Sequence, residues 1–250
     1  MKQNKAKPKW GFLIAAAVLI LLLSAGFIIF KEKTAVRSPD DYRESFSNVR
    51  IDVNEDQTIE ITPQNGEQTK RGIIFYTGAR IQPTAYIPLF SRIAADGISC
   101  FLPDFPLLIA PLNANAAEKI ILEHPEITEW ILSGHSMGGV AASGFAIDHP
   151  EKIQALILLA SYANRDLNGA DFPILSVYGD LDGVLNIKNY EKSKAYYSEN
   201  FEEQIISGGN HAGFGDYGIQ PGDHEASVTA EEQQTQTAEN ILDWLKRNSL

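Results

Sequence analysis

The pattern of apolar and polar positions divides the chain into a long uncharged segment near the N-terminus and a body of alternating short elements. In the body, short continuous apolar runs predict strands that are buried on both faces, and apolar positions at helical spacing predict helices. The predicted strands are 49–53, 58–62, 72–77, 98–102, 129–133, 154–160, 173–178 and 203–207. The predicted helices are 84–95, 114–123, 137–148, 187–198 and 229–247.

The order of these elements indicates the fold class. The first two strands flank the polar stretch Asn54–Gln57, which predicts a hairpin. From residue 72 onward strands and helices take turns, which predicts a mainly parallel sheet with helices on both faces. Ligand sites in such sheets lie beyond the carboxyl ends of the strands. The residues that directly follow each strand are therefore the first candidates for chemistry.

The uncharged segment near the N-terminus covers residues 10–30, which is 21 positions. About 20 apolar residues suffice to span a bilayer as a helix. Four lysines and no acidic residue precede it within residues 1–9, which favours a cytoplasmic N-terminus. We therefore expect a basic cytoplasmic leader over 1–9, a transmembrane anchor over 10–30, a tether over 31–48 and an extracytoplasmic domain over 49–250.

A cleaved secretory signal is the alternative to an anchor. Ser24-Ala25-Gly26 offers the small residues of a cleavage site, and cleavage there would release a secreted protein. Against cleavage, the apolar run continues through Phe30 and is longer than the core of an ordinary signal peptide. We therefore favour the membrane anchor.

Net charge narrows the choice of partners. From Ser38 onward the chain has 14 Lys and Arg residues against 31 Asp and Glu residues, a formal charge of −17. Nucleic-acid binding is disfavoured, because it requires a basic surface. Cys100 is the single cysteine, so no internal disulfide can form, and its apolar surroundings predict a buried core residue.

The stretch Gly134-His135-Ser136-Met137-Gly138 matches the pattern G-x-S-x-G. It follows a predicted strand and opens a helix of small residues, which is the context of a nucleophile elbow. Such a turn imposes a strained backbone on its serine, and side chains at the flanking glycines would collide with the neighbouring backbone. Ser136 is therefore the candidate nucleophile. The alternative is a Gly/Ser turn without chemical use.

A serine hydroxyl needs a base to remove its proton. His211 lies between the last predicted strand and the last predicted helix, at the sheet edge that carries Ser136, and we predict that it is the general base. Four further histidines lie at helix ends, within the elbow or in a loop, and are less well placed: His124, His149, His135 and His224.

The imidazole in turn needs an acid that fixes its tautomer. Asp180 and Asp182 both follow the strand before His211. We favour Asp182, three residues beyond the strand-ending Gly179, and interpret Asp180 as a turn former. The resulting order of serine, aspartate and histidine is the one that this sheet topology gives.

An oxyanion hole requires two backbone N–H groups aimed at the tetrahedral oxygen. Met137 directly follows the nucleophile and is predicted to supply one of them. Gly78 permits a turn after the first central strand, and we predict that Ala79 supplies the second.

Five motifs in order, YTGARIQPTAY, LPDFPLLIA, GHSMGG, YGDLDGV and GGNHAGFGDYG, resemble the α/β-hydrolase superfamily over about residues 71 to 248. Together, these motifs resemble those of a bacterial α/β-hydrolase-fold family whose members are membrane-anchored or secreted. The resemblance implies an α/β-hydrolase fold and a Ser-His-Asp triad. We expect no cofactor and no metal.

The chain departs from many relatives after the strand that follows the nucleophile helix. Only an ordinary loop separates the strands 154–160 and 173–178, so we expect no inserted lid domain and an open site. Residues of the surrounding loops would then form the substrate pocket. The candidates are Tyr76, Arg80, Phe105, Pro106, Leu107 and Tyr162.

These residues predict a membrane-anchored serine hydrolase that cleaves a small-molecule carboxylic ester through an acyl-enzyme. An acyltransferase, a thioesterase or a peptidase would use the same three side chains. A binding module on a hydrolase scaffold that has lost catalysis is the alternative from another class.

Overall fold

The computed structural model describes residues 37–64 and 70–250, and an eight-stranded sheet forms their centre. The strands in chain order are β1 (Val49–Val53), β2 (Ile59–Pro63), β3 (Arg71–Tyr76), β4 (Ser99–Leu102), β5 (Glu129–His135), β6 (Ala155–Leu159), β7 (Ile174–Gly179) and β8 (Phe201–Ile206). Their order across the sheet is β1-β2-β4-β3-β5-β6-β7-β8.

The sheet is mainly parallel, as the sequence predicts. Strand β2 pairs antiparallel with β1 and with β4, and all other neighbouring strands pair in parallel. The β1–β2 pair is the predicted hairpin. Strand β3 lies between β4 and β5, and Tyr76 at its end pairs with Gly134 in β5. The turn that follows β3 therefore lies beside the turn that follows β5.

Helices cover both faces of the sheet. They are α1 (Pro39–Ser45), α2 (Ile87–Ala94), α3 (Ala116–Glu123), α4 (Met137–Asp148), α5 (Ile187–Ser193) and α6 (Ala230–Arg247). Successive side chains of β3 alternate between two apolar cores, because side chains along a strand point to opposite faces. Ile73 and Phe75 pack with α1, α2 and α6, whereas Ile74 and Tyr76 pack with α3 and α4. Cys100 is buried, as predicted.

Two predicted helices are shorter than expected. The segment 84–95 forms a 3₁₀ turn at Pro83–Tyr86 and then α2, in which Pro88 occupies the first turn. Proline has no N–H and clashes with the preceding helical turn, so a continuous α-helix across it is unfavourable. The segment 187–198 likewise divides into α5 and a 3₁₀ turn at Lys194–Tyr196.

Helix α1 lies within the segment 31–48, which the sequence analysis interpreted as a tether. Ser38 and Asp41 form a capping box that starts this helix. Tyr42 is 1% exposed, and its hydroxyl donates to Asp216 Oδ2 at 2.8 Å. The second half of the expected tether is therefore packed against the loop that follows β8.

The predicted leader 1–9, the predicted anchor 10–30 and the start of the tether lie outside the described residues. Within the two described ranges, no helix combines the length and the apolar character that crossing a membrane would require. Between β6 and β7, residues 160–173 form an irregular loop, so no lid domain is inserted at that position.

Candidate active site

The turn between β5 and α4 places Ser136 at the carboxyl edge of the sheet. Strand β5 ends at His135 and α4 begins at Met137, so one residue makes the whole reversal. Ser136 has φ 54° and ψ −125°, a conformation that L-residues rarely adopt. Its N–H donates to the carbonyl of Leu159 at 2.9 Å, which fixes the turn to β6.

Close backbone packing explains the glycines of the motif. A Cβ atom at Gly134 would lie 2.6 Å from the backbone of Gly138. A Cβ atom at Gly138 would lie 2.2 Å from the carbonyl oxygen of Tyr76. Both distances are shorter than carbon contacts allow, and the obstructing atoms belong to backbone that cannot move freely. The start of α4 therefore packs directly on the end of β3.

His211 and Asp182 form a buried pair at the same edge of the sheet. His211 Nδ1 lies 2.8 Å from Asp182 Oδ2, and both side chains are 1% exposed. Asp182 Oδ1 accepts the N–H groups of Val184 at 2.8 Å and Leu185 at 2.7 Å. The carboxylate thus has three donors and a fixed orientation, and it holds the histidine with Nε2 directed away from it.

Asp180 has a different place. Its Oδ1 accepts the N–H of Gly208 at 2.7 Å, and this bond links the end of β7 to the turn after β8. The structure therefore pairs His211 with Asp182, whereas Asp180 caps a backbone amide.

Within the described residues, His211 Nε2 is buried and has no hydrogen-bond partner, so it is not bonded to the Ser136 hydroxyl in this state. Catalytic hydrogen bonds are often long in ligand-free enzymes and shorten when substrate binds. An unprotonated Nε2 at this position can accept a proton from a nearby hydroxyl.

Two side chains that the sequence analysis missed hold the His211 loop, the buried Gln233 and the half-buried Asp223. Gln233 on α6 is 1% exposed; its Oε1 accepts the Asn210 N–H at 3.0 Å and its Nε2 donates to the Asn210 carbonyl at 2.8 Å. Asp223 accepts the N–H of Ala212 at 2.8 Å and that of Gly183 at 2.9 Å, which joins the histidine loop to the aspartate loop. Gln233 lies four residues before Thr237 on the buried face of α6. This helical spacing is the feature of the sequence from which its burial could have been predicted.

The predicted oxyanion donors lie in turns next to each other. The Gly78 N–H donates to the Tyr86 hydroxyl at 3.2 Å, and the Arg80 N–H donates to the Leu108 carbonyl at 2.7 Å. Between them, the Ala79 N–H has no acceptor among the described residues. Met137 is the first residue of α4, where N–H groups lack an acceptor within the helix. Both amides are therefore available to a ligand.

Two of the predicted pocket residues are core residues instead, and the prediction was wrong for them. Tyr76 is fully buried, and its hydroxyl donates to the Ala114 carbonyl and accepts the Ala117 N–H. Phe105 is 3% exposed and packs edge-on against Tyr76. The pleat of β3 directs Tyr76 toward α3 and α4, away from the strand end, and Phe105 covers it there.

The other predicted pocket residues lie at the surface near the oxyanion turn or in the loop after β6. Arg80, Pro106 and Leu107 are exposed, and Tyr162 is half-buried. Arg80 and Leu107 both have positive φ, of 64° and 56°. Strained non-glycine residues of this kind cluster at functional sites, which agrees with their position around the predicted oxyanion hole.

The chain matches a known protein family in sequence and several solved structures in fold. The model of the Alpha/beta hydrolase family matches residues 72–235. The structure of Est1E from Butyrivibrio proteoclasticus is similar, with a TM-score of 0.56 and 16% identity over 80% of this chain and 100% of its own. The structure of Est1E with ferulic acid bound has a TM-score of 0.56 and 15% identity over 80% of this chain and 98% of its own. A CIB-like hydrolase from Thermoplasma acidophilum has a TM-score of 0.56 and 17% identity over 77% of this chain and 96% of its own.

The packing at the elbow predicts opposite effects for two glycines of α4. Gly138→Ala places a methyl group against the β3 backbone and should reduce the free energy of unfolding by at least about 2 kcal/mol. Gly144→Ala meets only the end of the Arg165 side chain, at 3.5 Å, and should be neutral or stabilising by up to about 1 kcal/mol. Urea unfolding of both variants measures the difference, and equal stability of the two would contradict the packing argument.

Proposed function

The chain belongs to the alpha/beta hydrolase family, and from this membership we propose that it is an esterase that uses Ser136, His211 and Asp182. Ser136 is the nucleophile, His211 the general base and acid, and Asp182 the residue that orients the imidazole. The amides of Ala79 and Met137 form the oxyanion hole. The substrate is a small-molecule carboxylic ester.

The observation that carries this proposal is the buried contact between His211 and Asp182 at the sheet edge where Ser136 adopts a strained turn. Burying a carboxylate beside an imidazole is costly unless both are well paired. A strained serine adds a further cost of about 1 to 3 kcal/mol. A module that only bound its ligand would gain nothing from keeping both features, whereas nucleophilic catalysis requires both.

The reaction follows from the geometry in two halves. In the first, His211 Nε2 accepts the Ser136 proton while Oγ forms a bond to the ester carbonyl carbon, and the carbonyl oxygen takes up the negative charge. When the tetrahedral intermediate collapses, the bond to the alkoxy group breaks and His211 donates its proton to the departing alcohol. Ser136 is then acylated.

In the second half, water replaces the alcohol. His211 Nε2 accepts a proton from water while its oxygen bonds to the acyl carbon, and the second tetrahedral intermediate releases the carboxylic acid as Ser136 regains its proton. In both halves the developing oxyanion is stabilised by the Ala79 and Met137 N–H groups. The positive end of the α4 dipole adds to this stabilisation, because Ser136 caps the start of that helix.

Two observations guide the choice of ester. The irregular loop 160–173 leaves the site without a lid, which favours soluble esters over substrates that require interfacial activation. Est1E, to which the fold is similar, has been obtained with ferulic acid bound. We therefore propose short-chain alkyl esters and hydroxycinnamate esters as the first substrates to assay.

The first prediction concerns the nucleophile. Ser136→Ala should abolish hydrolysis of p-nitrophenyl acetate and butyrate, because no other group in the proposal forms the acyl-enzyme. A fluorophosphonate probe should label the wild-type protein once, at Ser136, and leave the variant unlabelled. Unchanged turnover by the variant would refute the proposal, and absence of labelling in the wild type would favour the binding-module alternative.

The same assay separates hydrolysis from the related reactions. An acyltransferase would form product only when an alcohol or amine acceptor is added, whereas an esterase releases acid in buffer alone. Parallel thioester and peptide substrates test the thioesterase and peptidase alternatives. An ester rate well above the others supports the proposal.

The second prediction concerns the acid and has a matched control two residues away. Asp182→Asn should lower kcat by about 10⁴-fold, because an amide at that position favours the wrong imidazole tautomer. Asp180→Asn should retain most of the activity, because that carboxylate caps only Gly208. Steady-state kinetics of the two folded variants decides between them, and the opposite ranking would assign the acid to Asp180.

We also propose that residues 10–30 anchor the domain at the outer side of the cell membrane. The support is the uncharged length of that segment and the lysines before it. The full-length chain should then sediment with membranes and resist alkaline extraction, and protease added to spheroplasts should digest the domain. Protection from protease would overturn the orientation, and recovery of a shortened chain from the medium would support signal cleavage.

A further inference from the structure

A hydrogen-bonded pair of buried side chains connects the parts of the proposed site. Tyr86 and His135 are both fully buried, and the Tyr86 hydroxyl lies 2.8 Å from His135 Nδ1. The same hydroxyl accepts the Gly78 N–H at 3.2 Å. Gly78 precedes Ala79 in the oxyanion turn, and His135 precedes Ser136 in the elbow. One hydroxyl therefore joins the two turns that carry the oxyanion hole and the nucleophile.

The His135 ring also contacts the proposed base. Its centroid lies 4.6 Å from that of the His211 ring, and the Phe214 ring packs beside it at 5.6 Å. From the sequence, His135 lies inside the elbow and is less well placed than His211 to act as the base. The structure places that side chain behind the base, where it shapes the position of His211.

The directions of the hydrogen bonds follow from the number of donors. A tyrosine hydroxyl has one proton, and a buried donor is almost always paired. Since the hydroxyl accepts from Gly78, its own proton points to His135 Nδ1, the acceptor within reach. His135 Nε2 is buried and has no hydrogen-bond partner among the described residues, so each tautomer leaves a group unpaired. Protonation at Nδ1 would leave both the Tyr86 proton and the Nε2 lone pair unpaired, whereas protonation at Nε2 leaves only that N–H unpaired, so we assign the Nε2 tautomer. Burial raises the pKa of the Tyr86 hydroxyl, which keeps this donor protonated.

The charge of His135 matters because of its neighbour. Burial, and then the charge of His211, hold the pKa of His135 well below its usual range. A neutral His135 leaves no second positive charge next to His211 when that residue becomes an imidazolium in the reaction. The Tyr86 hydroxyl stabilises the neutral form, because it occupies Nδ1 as a donor.

We propose that Tyr86, acting through His135, is a positioning residue that holds the oxyanion turn in register with the nucleophile elbow and with the His211 ring. This inference rests on the proposed function, because it concerns the geometry of the transition state in that reaction. Gly78 packs directly against both side chains: a Cβ atom there would lie 2.8 Å from His135 Nδ1 and 3.0 Å from the Tyr86 hydroxyl. The three residues thus pack as one unit.

The test is Tyr86→Phe, which removes the hydroxyl and keeps the ring. We expect kcat for p-nitrophenyl butyrate to fall by about tenfold to a hundredfold with KM unchanged within about twofold, because a displaced oxyanion donor weakens the transition state and not the bound ester. The matched control is Tyr190→Phe, since Tyr190 is another fully buried tyrosine with two hydrogen-bonded partners, Ser176 and Glu203. That control should lose stability and retain kcat.

Variants of His135 distinguish positioning from simple core packing. Asn Oδ1 can occupy the place of Nδ1 and accept the tyrosine proton, so His135→Asn should retain more activity than His135→Leu. The double variant Tyr86→Phe/His135→Leu should lose no more kcat than the worse single variant, because both act through one bond. Additive losses, or equal activity of the Asn and Leu variants, would overturn the proposal.

A readout independent of activity separates this inference from the proposed function. Imidazole ¹⁵N shifts in ¹⁵N-histidine-labelled protein should show His135 protonated at Nε2 in the wild type and in Ser136→Ala, with that preference lost in Tyr86→Phe. If Ser136→Ala remained active, the esterase proposal would fail and the tautomer result would stand. If the wild type showed His135 protonated at Nδ1, or Tyr86→Phe left kcat unchanged, the positioning role would be refuted.

Discussion

The absence of space between the backbone of β3 and the first turn of α4 is the constraint on which the site depends. Gly138 lies against the Tyr76 carbonyl so closely that only hydrogen fits between them. This contact allows α4 to begin one residue after β5 and forces Ser136 into its strained conformation. The serine is consequently held at the sheet edge by packing, and the strain of about 1 to 3 kcal/mol is borne by contacts that surround it on three strands.

The other functional loops are held by paired polar side chains that are wholly or partly buried. Asp182 accepts two amides of its own loop, Asp223 links that loop to Ala212, and Gln233 pairs with both sides of the Asn210 peptide. Removing one partner from a buried pair of this kind leaves the other unsatisfied, at a cost of about 1 to 3 kcal/mol. Loops usually owe their order to few contacts. These loops instead carry bonds that determine where the imidazole lies.

The strands and the candidate triad could be predicted, because they depend on local sequence patterns. Side-chain orientation and the contacts between distant segments could not be predicted in this way. Apolar runs identified all eight strands to within two residues at either end. The strand-turn-helix context of Ser136 and the positions of Asp182 and His211 after their strands located the candidate triad. Tyr76 was misassigned to the pocket because a strand-end position does not reveal which face the pleat presents. From the sequence, Tyr86 and Gln233 could not be distinguished from ordinary helix residues. Their hydrogen-bond partners, Gly78 and Asn210, lie 8 and 23 positions away in other elements.

The two faces of the sheet support different parts of the candidate chemistry. The core that contains α2 and α6 supports the oxyanion turn through Tyr86 and the histidine loop through Gln233. The core that contains α3 and α4 supports the nucleophile. These supports meet at the carboxyl edge, where a Cβ atom at Gly179 would lie 2.2 Å from the backbone of Gly209. The aspartate and histidine loops therefore start in direct backbone contact. Asp182, three residues after Gly179, can therefore reach the His211 imidazole. Asp180, one residue after Gly179, instead accepts the Gly208 N–H.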